Sequence, residues 1–161
     1  MHLNLQKKNP YLFLLFAILL FSCDRNRIFE ENYAVDKGIW NNQNKIRFNV
    51  PITDTLIRYN VYLNVRNSMN YPYSNLYMFM DTYFPDGKIA RDTIDCTLAD
   101  YDGRWLGSGV GSVKFSRFLF QKGVRFHQKG KYRFELQQAM RVNDLTGIHD
   151  LGIRIEKEAS R

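Results

Sequence analysis

The sequence contains little cysteine, proline or histidine, and each shortage excludes a class of protein. Its 161 residues include 2 Cys, 4 Pro and 3 His. Two cysteines are too few for a disulfide scaffold, and no His/Cys cluster has the spacing of zinc ligands. Few prolines together with 45% hydrophobic residues exclude a disordered or low-complexity chain. The composition is that of a folded protein, and the length suits one domain.

Long hydrophobic runs are also missing, apart from one near the N-terminus at residues 11–22 (YLFLLFAILLFS). It follows two lysines and is too short for a membrane-spanning helix, which needs about 20 apolar residues, so it indicates an export signal. It ends at residues 20–23 (LFSC), which resemble a bacterial lipobox. We therefore predict a cleaved lipoprotein signal peptide over residues 1–22. Cys23 is the predicted lipidated residue, which makes a membrane the first expected partner.

Lipidation of Cys23 leaves Cys96 as the remaining thiol, which excludes an internal disulfide. Cys96 lies in a strand-like run, so we interpret it as a buried small hydrophobe rather than a reactive group. The chain has 23 Lys and Arg against 16 Asp and Glu, with the signs interspersed. No nucleic-acid-binding motif accompanies this basic excess, so we predict no nucleic-acid partner. An anionic lipid or an acidic protein suits the charge better.

What the chain has in abundance is aromatic residues, with 12 Phe and 10 Tyr, and alternation of apolar with polar positions. Both features favour β-strands. Residues 85–88 (PDGK) predict the tight turn of a hairpin. The alternating runs lie at residues 46–52, 59–65, 76–84, 89–98, 113–120, 131–140 and 151–155. Seven or eight short strands predict an all-β fold, an antiparallel β-sandwich of the jelly-roll type. We expect it to span residues 33–161, after a polar tether over residues 23–32.

Motifs that would support catalysis or metal binding are weak. Residues 107–111 (GSGVG) lack the Lys-Ser/Thr of a phosphate-binding loop, so we interpret them as a flexible connection between sheets. An EF-hand around Asp100 and Asp102 is excluded because a Gly stands where the loop requires Glu, although a calcium site at the sandwich edge stays an alternative. We interpret these two aspartates, and the pair Asp92 and Asp95, as turn or strand residues. We predict no catalytic residues, no metal and no cofactor.

One group of aromatic residues is a candidate binding surface. Trp105 is flanked by turn residues, so we expect it at the rim of the sandwich. There it either caps the core or forms part of an exposed docking surface. Together with Tyr71, Tyr73 and Tyr101 it would make an aromatic patch suited to protein contact, or to stacking against sugar rings. The two alternatives differ in shape, because sugar binding needs a groove with polar side chains within hydrogen-bonding reach.

Three segments, in this order and spacing, carry a family resemblance. We call them the motif segments: residues 70–76 (NYPYSNL), residues 102–111 (DGRWLGSGVG), and residues 138–141 (QAMR) followed by 145–157 (LTGIHDLGIRIEK). Read together, they are similar to the GldH family of gliding-motility lipoproteins of the Bacteroidota. The lipoprotein start and residues 84–87 (FPDG) fit the same family, so the resemblance covers nearly the whole chain.

The resemblance implies a lipid-anchored cell-envelope protein that is required for gliding and linked to the type IX secretion machinery. It implies an accessory role without enzymatic activity, with other gliding or secretion proteins as partners. It brings no catalytic residues to this chain. The residues after Cys23 are mixed in sign rather than acidic, which favours an outer-membrane protein that faces the periplasm. The alternative is a carbohydrate-binding β-sandwich lipoprotein.

Overall fold

The computed structural model describes residues 24–159 of the chain. The predicted signal peptide and Cys23 lie outside the described residues. Ten strands and one short 3-10 helix (Asp36–Gly38) make up the fold. The strands are β1 (Arg27–Ala34), β2 (Ile39–Asn41), β3 (Ile46–Ile52), β4 (Tyr59–Ser68), β5 (Asn75–Tyr83), β6 (Ile89–Thr97), β7 (Val113–Val124), β8 (Gly130–Gln138), β9 (Asp144–Thr146) and β10 (Ile148–Lys157). In this part of the chain no helix is long and apolar enough to cross a membrane.

The strands pair as one long hairpin that is rolled up on itself. From its tip outwards, β5 pairs with β6, β4 with β7, β3 with β8, β2 with β9 and β1 with β10, all antiparallel. Two further pairings, β10 with β4 and β5 with β8, arise because the hairpin is rolled. They complete two four-stranded sheets, β1-β10-β4-β7 and β3-β8-β5-β6, beside the β2-β9 ribbon. This is the jelly-roll order, and it confirms the predicted fold class.

The core lies between the two sheets and is built from the inward-facing residues of the alternating runs. Along β3, for example, Ile46, Phe48, Val50 and Ile52 are each at most 3% exposed, while the residues between them face solvent. The PDGK turn at the hairpin tip forms as expected. Its Gly87 has φ +84°, and its N–H donates to the Phe84 carbonyl at 3.0 Å.

The antiparallel pairing gives the sandwich two ends of different composition. We call the end at which the described chain begins the proximal end; it comprises residues 24–27, 52–59, 83–89, 121–131 and 156–159. The distal end comprises residues 34–46, 67–76, 97–113 and 138–148. Strands β4 and β10, each of 10 residues, run from one end to the other. At about 3.3 Å per residue they separate the two ends by about 30 Å.

The expected tether over residues 23–32 differs from the structure. Strand β1 already begins at Arg27 and pairs with β10 as far as Ala34, so residues 24–26 are all of the described chain that precedes the sandwich. No alternation marks this strand in the sequence, because six of its eight positions are exposed; Phe29 packs against the core. Strands β2 and β9 were missed because three residues are too few to show an alternation.

Cys96 is fully buried in β6, which confirms its interpretation as a core residue. Burial raises the pKa of its thiol to about 12. A thiol with that pKa is almost entirely protonated at neutral pH and is a poor nucleophile.

Candidate functional site

The first two motif segments, together with residues 138–141 and 145–148 of the third, lie at the distal end, although they are far apart in sequence. Residues 149–157 continue along β10 to the proximal end. Residues 70–76 join β4 to β5, residues 102–111 lie between β6 and β7, and residues 138–141 follow β8. Backbone hydrogen bonds connect the first two segments through Leu98: the Ser74 carbonyl accepts the Leu98 N–H at 2.8 Å, and the Leu98 carbonyl accepts the Leu106 N–H at 2.9 Å. Most of the residues that carry the resemblance therefore form one end of the folded chain rather than three separate loops.

Tyr71 is a core residue of this end, not part of its surface. It is 4% exposed, its hydroxyl donates to the Asn75 carbonyl at 2.9 Å, and burial raises its pKa. Gly147, at φ +87°, packs directly against it, since a Cβ at this glycine would lie 3.0 Å from the Tyr71 Cα. The prediction that Tyr71 belongs to an exposed patch is wrong, because the turn after β4 directs its ring between the sheets.

Trp105 and Tyr73 both contact Tyr71 but keep part of their surface free. The Trp105 ring lies 6.4 Å from the Tyr71 ring, centroid to centroid, and packs partly buried against the core. Tyr73 meets Tyr71 edge to face at 5.7 Å and is 36% exposed. Trp105 thus caps the core, and Tyr73 stands beside it at the surface.

Tyr101 lies at the tip of a tight turn and is 97% exposed. Asp100 closes this turn, because its Oδ1 accepts the N–H groups of Asp102 at 3.0 Å and Arg104 at 2.8 Å. Its Oδ2 accepts from the Arg104 guanidinium at 3.0 Å. The Asp100 carboxylate therefore has a structural role in the turn, which agrees with the interpretation of Asp100 as a turn residue. Because both carboxylate oxygens accept these hydrogen bonds, the turn presents Tyr101 to solvent in a fixed position.

Further apolar side chains are exposed elsewhere at the distal end. Leu106 is 60% exposed, Val110 is fully exposed and Met69 is 49% exposed. We call Met69, Tyr73, Tyr101, Leu106 and Val110 the distal apolar surface. The glycine-rich segment that carries Val110 crosses from one sheet to the other, as expected. It is held to β7 by two reciprocal backbone hydrogen bonds between Ser108 and Phe115, at 2.7 and 2.9 Å.

A groove of about 480 Å³ lies next to this surface. Tyr73, Asn75 and Tyr77 form one side of it, and Met140 and Arg141 form the other. The two sides are joined by the Tyr77 N–H, which lies 3.3 Å from the Met140 sulfur. Tyr77 was not among the residues predicted from the sequence. It occupies an outward-facing position of β5, where an aromatic side chain does not contribute to the core. An aromatic residue at such a position could have identified it as a candidate binding residue. Met140 and Arg141 belong to the motif segment at residues 138–141, but no local pattern placed them beside Tyr77, because the pairing of β8 with β5 brings them here.

Two charged networks cover the outer faces of the sheets and support the fold. On one sheet Asp81 is 5% exposed and accepts from Arg91 at 2.7 Å and from Lys45 at 3.2 Å. These cations, Arg91 foremost, lower the pKa of Asp81 to about 2. On the other sheet the buried Arg154 binds Asp24, Glu30 and Glu156. Every charge in these clusters has a partner of opposite sign, which is what buried ions require.

Two aromatic rings on the outer face of the β3-β8-β5-β6 sheet, those of Tyr83 and Phe79, are covered by arginines. The Arg133 guanidinium lies 3.9 Å from the Tyr83 ring centroid, and that of Arg91 lies 5.4 Å from the Phe79 ring centroid. These ring faces are therefore not free to stack against a sugar. Across residues 24–159, no group of three or more His, Cys, Asp or Glu side chains is arranged to hold a metal ion.

Comparison with known proteins gives consistent matches over most of the chain. The sequence profile of a family described as "GldH lipoprotein" matches residues 27–155. The "Gliding motility lipoprotein GldH homolog" of Christiangramia forsetii is 36% identical, covering 91% of this chain and 94% of its own. The "Gliding motility lipoprotein GldH" of Flavobacterium johnsoniae is 37% identical, covering 94% and 98%. A crystal structure of dimeric latent PorU from Porphyromonas gingivalis aligns with 83% of this chain and 13% of its own, with 9% identity and a TM-score of 0.33.

Proposed function

Because this chain belongs to the GldH lipoprotein family, we propose that it is an envelope accessory protein that supports gliding through protein contacts at its distal end. The proposed partners are components of the gliding and type IX secretion machinery. The proposed role is one of binding, without a reaction of its own.

The proposed anchor is a diacylglyceryl group on the sulfur of Cys23, after removal of residues 1–22. An N-terminal fatty acid such as palmitate would add a further chain. Several acyl chains hold a protein durably on a membrane, whereas one gives only reversible binding. Attachment to the outer membrane on its periplasmic side is our preferred location. The mixed charges of Asp24, Arg25 and Arg27 support it, since an acidic run is absent there.

One observation carries the assignment of the distal end as the binding end. The first two motif segments meet the beginning of the third there, about 30 Å from the proposed anchor. Leu106 and Val110 of the second segment are exposed, as is the adjoining Tyr101. Exposed apolar side chains that cluster on a folded domain are typical of a protein-binding surface, and aromatic residues dominate the binding energy of such surfaces. At the distal end the distance from the membrane leaves room for a partner.

The groove beside Tyr77 supports a second candidate function, carbohydrate binding. Its Tyr73 and Tyr77 rings are 36% and 42% exposed, and Asn75 and Arg141 supply polar groups next to them. Aromatic rings with adjacent hydrogen-bonding groups in a concave site are what sugar recognition needs. Protein binding is favoured because the more exposed apolar side chains, Tyr101, Leu106 and Val110, lie outside the groove.

Site-specific photo-crosslinking in gliding cells tests the proposal. A photoreactive residue is introduced at Leu106, and a matched one at Leu56, an 83% exposed leucine of the proximal end. We expect protein adducts from position 106 that contain gliding or secretion components, and none of these from position 56. The same adducts from both positions, or none from position 106, would contradict a distal docking surface. Loss of glycan binding in Tyr77→Ala, with no protein adducts from position 106, would establish the carbohydrate function instead.

A further inference from the structure

Basic side chains without acidic partners are concentrated at the proximal end. Seven that are exposed form no salt bridge with any acid among residues 24–159: Arg25, Arg58, Lys122, Arg125, Lys129, Lys131 and Lys157. The distal end is balanced instead. Its cations are Lys37, Lys45, Arg104 and Arg141, and its acids are Asp36, Asp100, Asp102 and Asp144. The excess positive charge of the folded domain is therefore concentrated at the proximal end.

Three of the proximal cations surround one depression of about 700 Å³. Strand pairing brings Arg58, which precedes Tyr59, next to Arg125, which follows Val124, because Tyr59 and Val124 are partners. Lys122 lines the same depression, as does one acidic residue, Glu158. Glu158 packs against Gly123, at φ +62°, where a Cβ would lie 3.1 Å from its carboxylate.

The chain enters the sandwich beside this depression. The Asn26 carbonyl accepts the Lys157 N–H at 2.8 Å, and the next residue, Glu158, donates its N–H to the Arg58 carbonyl at 2.8 Å. Cys23 precedes Asn26 by three residues, a span of at most about 11 Å. Acyl chains on Cys23 would therefore enter a bilayer close to Arg58, and the short connection leaves the domain little freedom to turn its basic end away.

We propose that the proximal end lies against the membrane and that Arg58, Lys122 and Arg125 bind the phosphate groups of anionic lipids. This inference rests on the proposed lipid anchor, which would place a bilayer at this end. The basic surface then acts as a second membrane contact and fixes the orientation of the sandwich. The distal apolar surface is thereby held away from the bilayer and towards its partner.

Vesicle binding by the unlipidated chain from Asp24 onwards tests the inference without the anchor. This chain retains the entire described core, whose first member is Val35, and also Phe29, which packs against it. We expect binding at low salt to phosphatidylcholine vesicles that contain phosphatidylglycerol, and not to phosphatidylcholine alone. Each basic residue near an anionic surface strengthens binding about fivefold. The double variant Lys122→Ala/Arg125→Ala should therefore bind about 30-fold more weakly.

The matched control is Lys37→Ala/Arg141→Ala, which removes two exposed distal cations and should leave vesicle binding nearly unchanged. Equal losses in the two double variants, or no preference for phosphatidylglycerol, would overturn the inference. So would full competition by soluble glycerol phosphate, which would indicate a site for a free phosphate compound rather than a membrane surface. The lipid anchor is tested separately, by the membrane fractionation of full-length Cys23→Ala. Failure of the anchor and failure of the basic surface are thus distinguishable.

Discussion

Substitution of Gly152 by alanine should loosen β1, the strand that joins the proposed anchor to the sandwich. Gly152 pairs with Asn32 across the β1-β10 ladder. A Cβ at position 152 would lie 2.0 Å from the Asn32 Oδ1 and 2.6 Å from the Glu31 carbonyl oxygen. Asn32 crosses over this glycine to accept a hydrogen bond from the buried Asn64 at 3.1 Å. An alanine at position 152 would therefore displace both the Asn32 side chain and the backbone at Glu31.

The magnitude follows from these two displacements. Overpacking costs about 1–3 kcal/mol, and the lost hydrogen bond costs about 1 kcal/mol. Alanine also restricts the unfolded chain, which offsets up to about 1 kcal/mol. We therefore expect Gly152→Ala to lower the free energy of unfolding by about 2–3 kcal/mol. Urea unfolding followed by the fluorescence of the buried Trp40 measures it.

A double variant separates the two displacements. Asn32→Ala alone should cost about 1 kcal/mol, because it removes the hydrogen bond to Asn64. Asn32→Ala/Gly152→Ala relieves the contact with the side chain but keeps the contact with the Glu31 carbonyl, so it should be a further 1–2 kcal/mol or so less stable. If the double variant is as stable as Asn32→Ala, or if Gly152→Ala is as stable as the unsubstituted chain, the close approach of β1 to β10 is not what requires glycine.

Three further predictions concern acid stability, thiol reactivity and the aromatic residues. The lowered pKa of Asp81, about 2 in the folded chain against 3.8, contributes about 2 kcal/mol of stability above pH 4 that is lost as the pH falls towards 2. Urea unfolding of Asp81→Asn should show this loss at pH 7 and almost none at pH 2; an equal loss at both would refute the ion-pair explanation. Cys96, in the chain from Asp24, should react with iodoacetamide at pH 8 only after unfolding, and mass spectrometry of the native protein would reveal any labelling that contradicts its burial. Tyr71→Ala should cost about 3–5 kcal/mol, whereas Tyr101→Ala should stay within about 0.5 kcal/mol, as thermal unfolding would show.

The fold class was predictable because the core of a sandwich imposes alternation on its strands. Strands such as β3 have one face in the core and the other in solvent, and the period of two is plain in residues 46–52. Strand β1 and the two ribbon strands, β2 and β9, do not show this period. In β1 the charges of Glu30 and Glu31 interrupt the pattern, because Glu30 binds Arg154 on the outer face of the sheet. That pairing joins residues 124 positions apart, which local sequence patterns do not reveal.

The location of the candidate site was predictable from the sequence, but the residues exposed there were not. Turn residues around Trp105 indicated the rim of the sandwich, where the structure has it. Whether a rim aromatic faces inward depends on the turn that carries it, and Tyr71 is buried while Tyr101 is exposed. The basic proximal end was hidden for a similar reason. Arg58, Lys122 and Arg125 look scattered along the chain and meet only because β4 pairs with β7.

The two-ended arrangement, an anchor at the proximal end and a docking surface at the distal end, is tested most directly by motility. A gliding host that lacks this protein is complemented with Leu106→Asp or with Leu56→Asp, which introduce the same charge at exposed leucines of opposite ends. Both variants must accumulate normally in the membrane fraction. We predict that gliding is lost with Leu106→Asp and retained with Leu56→Asp. Normal gliding with Leu106→Asp would contradict the assignment of the distal end as the binding end, and so would equal loss of gliding in both variants.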